Sequence, residues 1–450
     1  MSEIEPLHFG TDGLRGLAGQ PPMDPESLRR VGAALGVLLQ HTGGAQKRVL
    51  VGNDGRESAP WILEALTQGL VAAEVAVTDV GLCTTPALAQ LVRVLPHDAG
   101  IMISASHNPA HDNGIKIFAG DGSKLAGERE RELEQLALEL RPAAPGTPRI
   151  RQGHDLLLRY DELCARQFPD LDLGGRTICV DAAHGGGSEL APRILRAFGA
   201  TVVEIAGEPD GFNINDGVGA LHPEVMAAQV REHGACLGIC LDGDGDRGIF
   251  VDETGAVRDG DDVLCLFGRE LSRRRQLPHD LVVATVMSNL GLHKALATAG
   301  VEIEVTPVGD RNVYLAMQRR GAAIGGEQSG HILFADNGLV GDGLYTALRL
   351  LDLGSGTADT GFAAAFSGLV RYPQRLVNVP VAQKPELQSV PRIAAKVAEI
   401  EAVLGDNGRL LLRYSGTEPK CRVMIEAETA ELCDRLCQDL AAVVAAELGA

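Results

Sequence analysis

Leu237-Gly238-Ile239-Cys240-Leu241-Asp242-Gly243-Asp244-Gly245-Asp246-Arg247 is an apolar run that breaks into alternating aspartates and glycines, and Ile249-Phe250-Val251 follows almost at once. This order predicts a strand, a polar loop and a second strand. Alternate carboxylates on an extended chain project to one side, so the three aspartates are predicted to converge. Converging carboxylates repel unless a cation lies between them, and their hard oxygens suit Mg²⁺ or Ca²⁺ rather than zinc. Two rival readings fail on detail. Glu253 sits at the twelfth position of an EF-hand register, but Arg247 occupies the sixth, where the sharp turn needs glycine, and the loop follows a strand. Gly243-x-Gly245-x-x-Gly248 matches a dinucleotide fingerprint, yet a strand follows in place of a helix, and three aspartates would repel a pyrophosphate.

Outward from this loop, short Val/Ile/Leu segments alternate with longer amphipathic stretches, which predicts an α/β fold. Asp24-Pro25 is a helix start, an N-cap followed by proline at the first helical position. Strands are expected at 49–52, 75–80, 100–103, 115–118, 177–180, 201–205, 237–241, 281–286, 302–306, 322–325, 409–413 and 421–427, with helices from Pro25 to about Leu39, beginning near Pro60, Pro86 and Gly127, at 192–198, 223–233, 261–275 and 342–352, and an Ala-rich helix at the end. A Pro/Ala/Gly-rich stretch at 141–148 and a low-complexity stretch at 354–361 read as linkers. Length predicts about three domains at roughly 150 residues each, whereas the segments divide into four units, each with one polar, glycine-rich loop.

The formal charge of −19 excludes a nucleic-acid partner, which needs clustered Lys and Arg. Nine scattered cysteines without a C-x-x-C pair fit free thiols in a reducing compartment. The opening Met-Ser-Glu-Ile-Glu-Pro is acidic and lacks the apolar core of a signal peptide. No run is long enough to cross a membrane. The expectation is a cytoplasmic protein with a small-molecule partner; the oligomeric state is left open, a homodimer included.

The other three loops carry different chemistry. Ser104-Ala105-Ser106-His107-Asn108-Pro109 follows the apolar Ile101–Ile103 and delivers a serine into a turn, a common place for a nucleophile. His107 is adjacent, but neighbouring side chains on a strand point apart. Alone, the loop reads equally as an Asn-Pro turn with solvated serines. Gly325-Gly326-Glu327-Gln328-Ser329-Gly330-His331 combines groups suited to sugar hydroxyls with an imidazole that titrates near neutrality; alone it reads as a polar hairpin. Arg413-Tyr414-Ser415-Gly416-Thr417-Glu418-Pro419, with Arg422 behind, reads as an anion nest or as a capped turn. Together these are a hydroxyl, a hard cation site, a polyol reader and a phosphate grip. A phosphorylated Ser106 would add roughly −1.5 to −2 charge, tolerable beside the aspartates through a bridging Mg²⁺. Phosphoryl transfer asks mainly for such positioning and charge stabilisation.

With these residues the chain resembles the α-D-phosphohexomutases over nearly all of His8 to Glu428, through Phe9–Gly16, the Ser106 loop, Asn113-Gly114-Ile115-Lys116, the Asp242 loop, Val308-Gly309-Asp310-Arg311, Gly326–His331 and Arg413–Pro419. Gln328 and Gly309-Asp310-Arg311 are similar to the glucosamine branch. The resemblance implies four domains around a central cleft, three mixed-sheet α/β domains of similar topology and a smaller C-terminal α+β domain. These are residues 1–150 with the phosphoserine loop, 151–252 with the metal loop, 253–366 with the sugar loop and 367–450 with the phosphate loop. It implies that Ser106 carries the phosphate and that Ser106, Asp242, Asp244 and Asp246 bind one Mg²⁺. Arg15, Lys116 and Arg247 would stabilise the transferring group, and Lys116 or His331 would handle protons. Glu327 and Ser329 would read the sugar and Arg311 would bind the substrate, while Arg413, Ser415, Gly416, Thr417 and Arg422 would hold the unreacting phosphate. The implied reaction interconverts glucosamine 6-phosphate and glucosamine 1-phosphate through glucosamine 1,6-bisphosphate, for UDP-N-acetylglucosamine and cell-wall synthesis. Alternatives are a phosphomannomutase or phosphoglucomutase on the same scaffold, and a phosphomonoesterase that passes the phosphate to water.

Overall fold

The computed structural model describes residues 7–10, 13–41, 46–125, 127–140, 149–338, 340–355, 361–415 and 418–449. The linker expected at 141–148 and most of that at 354–361 lie outside the described residues, as do Thr11 and Asp12 of the first motif. The chain parts into two compact units, Met1–Val286 with Glu304–Phe366, and Met287–Ile303 with Ser367–Ala450.

Three mixed sheets share one plan. In the first, Ala76–Leu82, Arg48–Asn53 and Ala99–Ile103 run parallel, and Asp112–Ala119 returns antiparallel beside the last of them. In the second, Thr201–Ile205, Thr177–Asp181 and Leu237–Leu241 are parallel, and Gly248–Asp252 returns antiparallel. In the third, the order is Glu302–Thr306, Leu281–Thr285, Ile324–Gly326 and Ile332–Phe334; the middle pair is parallel and the last pair antiparallel. In each sheet the connection from the third of these strands to its antiparallel neighbour carries a polar loop: Ser104–His111, Asp242–Arg247 and Glu327–His331. One supersecondary plan thus presents the serine, the carboxylates and the sugar-type loop at equivalent places.

The strands leading into these loops are Ala99–Ile103, Leu237–Leu241 and Ile324–Gly326, and all of their residues are buried. Strands covered on both faces read as continuous apolar runs, and their rigidity fixes the loops they launch. Pro25–Gln40 starts where Asp24 accepts from the Glu26 and Ser27 amides at 3.0 and 3.2 Å. Its buried Leu28, Val31, Leu35 and Leu38 form one helical stripe toward the first core. The first sheet is completed at its ends by Leu14–Leu17 and by Ile150–Gln152, whose register Val77↔Ile150 carries this sheet past the boundary expected at 150. The fourth sheet, Gln374–Pro380, Lys420–Glu426 and Arg409–Tyr414, is wholly antiparallel. Pro391–Leu404 and Ala430–Leu448 share its core through Ile393, Ile400, Leu436 and Val444. Among the described residues, no helix is long and apolar enough to cross a membrane.

Candidate active site

Ser106 is fully buried and sits at φ +52°, in the left-handed region that costs a non-glycine residue roughly 1 kcal/mol or more. The conformation is held by several bonds. The Ser106 amide donates to Ser104 Oγ at 2.8 Å, and the Arg56 guanidinium donates to the carbonyls of Ser106 (3.0 Å), Asn108 (2.8 Å) and Asp112 (2.9 Å) and to that of Pro109. Asp54 pairs with Arg56 Nε at 3.0 Å, and both side chains are completely buried. Ser106 Oγ donates to Asp242 Oδ2 at 2.7 Å and lies 3.3 Å from His107 Nδ1. The expectation that His107 points away therefore does not hold, because it assumed an extended backbone and Ser106 is left-handed.

Asp242, Asp244 and Asp246 are buried, and each offers an oxygen within 4.8 Å of the other two, the one such carboxylate group among the described residues. The convergence arises from a turn rather than from extended alternation: the Gly245 amide bonds the Asp242 carbonyl at 2.9 Å, with Gly245 at φ +69°. Lys116 Nζ, itself buried, donates to Asp244 Oδ2 at 2.7 Å and Asp246 Oδ2 at 2.8 Å. The Thr85 hydroxyl bonds Asp244, the Arg247 amide bonds Asp242 Oδ1 at 3.1 Å, and Arg247 Nε is 3.9 Å from Asp246 Oδ1. Burial, then the charges of Asp246 and Asp244, push the Asp242 carboxyl up to about 8. Burial acts the same way on Asp246, but Lys116 and His331 outweigh it and hold that group well below the usual carboxylate range. Asp244 Oδ1 and Asp246 Oδ1 are buried without a hydrogen bond. Unsatisfied buried carboxylate oxygens converging on one point fit a hard divalent cation.

His331, also buried, stands with Nδ1 3.5 Å from Asp246 Oδ1 and Nε2 3.9 Å from Asp310 Oδ2. Burial alone would lower its pKa, but the two carboxylates raise it. A cavity of about 490 Å³ adjoins this pair and is lined by Asp246, Asp310, Lys124, Tyr314 and His331 among others. Glu327 accepts the Gly309 amide at 3.0 Å, and Ser329 is exposed at the hairpin tip. Arg311 bonds Glu130 at 2.8 Å and the Leu125 carbonyl at 2.9 Å, tying the third sheet's domain to the first. Arg15 lies beside the serine loop, with Nη1 3.5 Å from Asn108 Oδ1. Ser106, Lys116, the three aspartates, Arg247 and His331 thus form one contiguous cluster. Arg311 lines the same cavity as Asp246 and His331, while Glu327 and Ser329 lie on the hairpin that leads to His331.

Sequence reading passed over Arg56, Thr85 and Asn215. Asp54-x-Arg56 and Asn213-x-Asn215 are ordinary polar spacings, and only their tertiary partners distinguish them.

In the second unit, Arg413 and Arg422 are direct cross-strand partners. Burial, then Arg422, lowers the Arg413 pKa. Like charges placed opposite one another are destabilising, so an anion between them would be welcome. Ser415 is buried; its Oγ accepts the Glu418 amide at 3.3 Å and its carbonyl accepts Lys384 Nζ at 2.8 Å. Gly416 and Thr417 lie outside the described residues.

Residues 6–143, 165–255, 259–365 and 376–443 match, in that order, phosphoglucomutase/phosphomannomutase alpha/beta/alpha domains I, II and III and the C-terminal domain. The phosphoglucosamine mutase of Ligilactobacillus salivarius is 43% identical over 449 residues, covering 98% of this chain and 99% of that protein. A phosphoglucomutase/phosphomannomutase family protein from Burkholderia thailandensis has a TM-score of 0.79 at 28% identity, over 96% of each chain. Aspergillus fumigatus N-acetylphosphoglucosamine mutase, solved with GlcNAc-6P and magnesium, shares the fold at a TM-score of 0.66 and 19% identity, over 98% of this chain and 96% of that one. With the four domain matches in order and relatives of this identity along nearly the whole length, the chain belongs to the phosphoglucomutase/phosphomannomutase family, among the phosphoglucosamine mutases of the phosphohexomutase superfamily.

Proposed function

We propose that the enzyme is an isomerase that interconverts glucosamine 6-phosphate and glucosamine 1-phosphate by phosphoryl transfer through Ser106. The observation that carries this reading is the 2.7 Å contact between Ser106 Oγ and Asp242, inside a group of three converging carboxylates. The phosphoryl group on Ser106 Oγ passes to the free hydroxyl of the bound sugar phosphate. The Oγ–P bond breaks and the sugar O–P bond forms; the sugar hydroxyl gives its proton to a basic side chain and Ser106 Oγ takes one up. The resulting glucosamine 1,6-bisphosphate turns within the site, its other phosphoryl group returns to Ser106 as the serine hydroxyl gives up its proton, and the departing sugar oxygen takes up a proton.

Mg²⁺ held by Asp242, Asp244, Asp246 and the serine phosphate would polarise the phosphoryl oxygens. The magnesium in the A. fumigatus enzyme supports this choice of ion. Lys116 and Arg247 bring positive charge to the same cluster, and Arg15 flanks the loop that carries the phosphate. Lys116 or His331 is assigned to the proton. Glu327 and Ser329 are assigned to the sugar and Arg311 to substrate binding. Arg413, Ser415 and Arg422 are assigned to the phosphate that does not react, together with Gly416 and Thr417. Nine free cysteines, eight of them buried, support a reducing cytoplasm.

The test is turnover of glucosamine 1-phosphate with Mg²⁺, by wild type and Ser106→Ala, with intact-mass measurement for one phosphate. Activity that persists in Ser106→Ala overturns the covalent route. A higher kcat/KM for glucose or mannose 1-phosphate overturns the amino-sugar assignment, and inorganic phosphate as the main product would mark a phosphatase.

A further inference from the structure

We infer that Asn215 is a positioning residue that holds the phosphate-bearing serine loop in register with the metal-binding aspartate loop. Its carboxamide reaches both. Nδ2 donates to the carbonyls of Ser106 at 2.9 Å and Asn108 at 3.1 Å, and Oδ1 accepts the Gly243 amide at 2.9 Å. The two loops leave different sheets and meet backbone to backbone at this point. A Cβ on Gly243 would lie 2.7 Å from the Ser106 carbonyl oxygen and 2.9 Å from Asn215 Nδ2. Glycine is therefore required there by close approach, apart from any need to bend around an ion.

Asn215 is presented to the junction by a loop with its own internal bonding. Asp210 accepts the amides of Phe212 and Asn213, and Asn213 donates to the Glu208 carbonyl at 2.9 Å. Asn215 itself sits at φ +59°, a conformation asparagine tolerates better than most residues, with its amide on the Ala183 carbonyl at 3.0 Å. Ile214, buried beside it, anchors the segment. The same loop touches the first domain again where the Glu57 amide bonds the Gly211 carbonyl at 3.1 Å, one residue beyond Arg56.

The chemistry of the cycle makes this strap matter. The direct link between the loops, Ser106 Oγ–H to Asp242, uses the proton that phosphorylation replaces, so it is lost whenever the serine carries its phosphate. The Asn215 bonds use backbone oxygen and nitrogen and are indifferent to the state of the hydroxyl. Arg56 grips the same two carbonyls, but it belongs to the serine loop's own domain. Asn215 is thus suited to keep the phosphoryl group and the carboxylates at constant spacing through both transfers.

The inference rests on the mutase reading. Wild-type turnover of glucosamine 1-phosphate and its loss in Ser106→Ala test that reading separately. With those controls in place, Asn215→Asp keeps the acceptor for Gly243 but turns lone pairs toward two carbonyl oxygens. Expected are a fall in kcat of about 100-fold, as for a reacting group displaced by about 1 Å, a nearly unchanged KM, weaker Mg²⁺ binding by titration calorimetry, and a urea midpoint close to wild type. Gly243→Ala, which wedges the same junction apart with Asn215 intact, should reproduce the split. If Asn215→Asp does not fold, Gly243→Ala decides. Wild-type kcat in the variant that decides, KM rising in step with the loss of kcat, or failure of both variants to fold would each overturn the inference, the last by making the role structural.

Discussion

Ser106 Oγ donates to Asp242 Oδ2 across 2.7 Å although the two residues are 136 positions apart, and both side chains are buried. A hydroxyl and a carboxylate withdrawn together from water are held by the domains on either side, since the bond between them is worth only about 1.5–3 kcal/mol. The surrounding charges show what the arrangement accommodates. Three carboxylates face one ammonium, Lys116, with Arg247 and His331 at longer range. Four expectations follow for the carboxylates, for the groups around them and for the second unit.

Replacing Asp244 by asparagine removes one anionic oxygen ligand with little change of shape. Loss of electrostatic stabilisation of this kind lowers kcat by roughly 100- to 1,000-fold. The thermal midpoint should stay near wild type while the Mg²⁺ concentration for half-maximal activity rises. An unchanged Mg²⁺ dependence would remove Asp244 from the metal site.

Lys116→Met leaves Asp244 and Asp246 buried without their nearest cation. Removing one partner of such a pair costs about 3–5 kcal/mol, so the metal-free variant should melt well below wild type. Mg²⁺ should raise its melting temperature by more than it raises the wild type's, because the ion then supplies the missing charge. Equal shifts in a scan with and without Mg²⁺ would contradict this.

Asp342 supplies a pH signature away from the aspartate loop. Its carboxylate accepts the Tyr160 hydroxyl at 2.5 Å and the Tyr345 amide at 2.9 Å, and burial pushes its pKa from 3.8 up to about 6, against the lowering effect of those hydrogen bonds. A carboxyl whose folded pKa is raised binds more protons folded than unfolded between those values. Its contribution is present below pH 3.8 and is lost as pH rises through about 6. The shift is worth up to about 3 kcal/mol. Asp342→Asn should remove this component, so denaturation of wild type and variant from pH 4 to 7 should differ in slope over that window and run parallel above it. Parallel behaviour throughout would refute the assignment.

Arg422→Ala should relieve the repulsion with Arg413 and weaken anion binding in the second unit. KM for glucosamine 6-phosphate is expected to rise by about 10-fold or more, with kcat changed less, as for lost uniform binding. A fall in kcat with KM unchanged would place Arg422 in the chemical step instead.

Segments whose own residues settle their conformation were readable in advance. Thr201–Ile205, Leu237–Leu241 and Glu302–Thr306 have the bounds their apolar runs predict. The helix at Pro25 starts where an N-cap and a proline place it. Asp310–Arg320 was missed because it is polar along most of its length and buries only Val313, Ala316 and Met317. Leu14–Leu17 was missed because four residues at a sheet edge are a strand only by virtue of Asp112–Ala119 beside them.

The same division runs through the site. Residue types, loop order and the acidity of the aspartate loop are properties of the chain, so the inventory of hydroxyl, carboxylates, imidazole and arginines could be read along it. Partnership could not. That Arg56 grips the serine loop depends on two distant segments pairing in one sheet, and that Lys116 faces Asp244 and Asp246 and Asn215 spans the serine loop to Gly243 depends on how separate sheets dock. Docking is set by burial summed over whole cores, and no local pattern of residues encodes that sum.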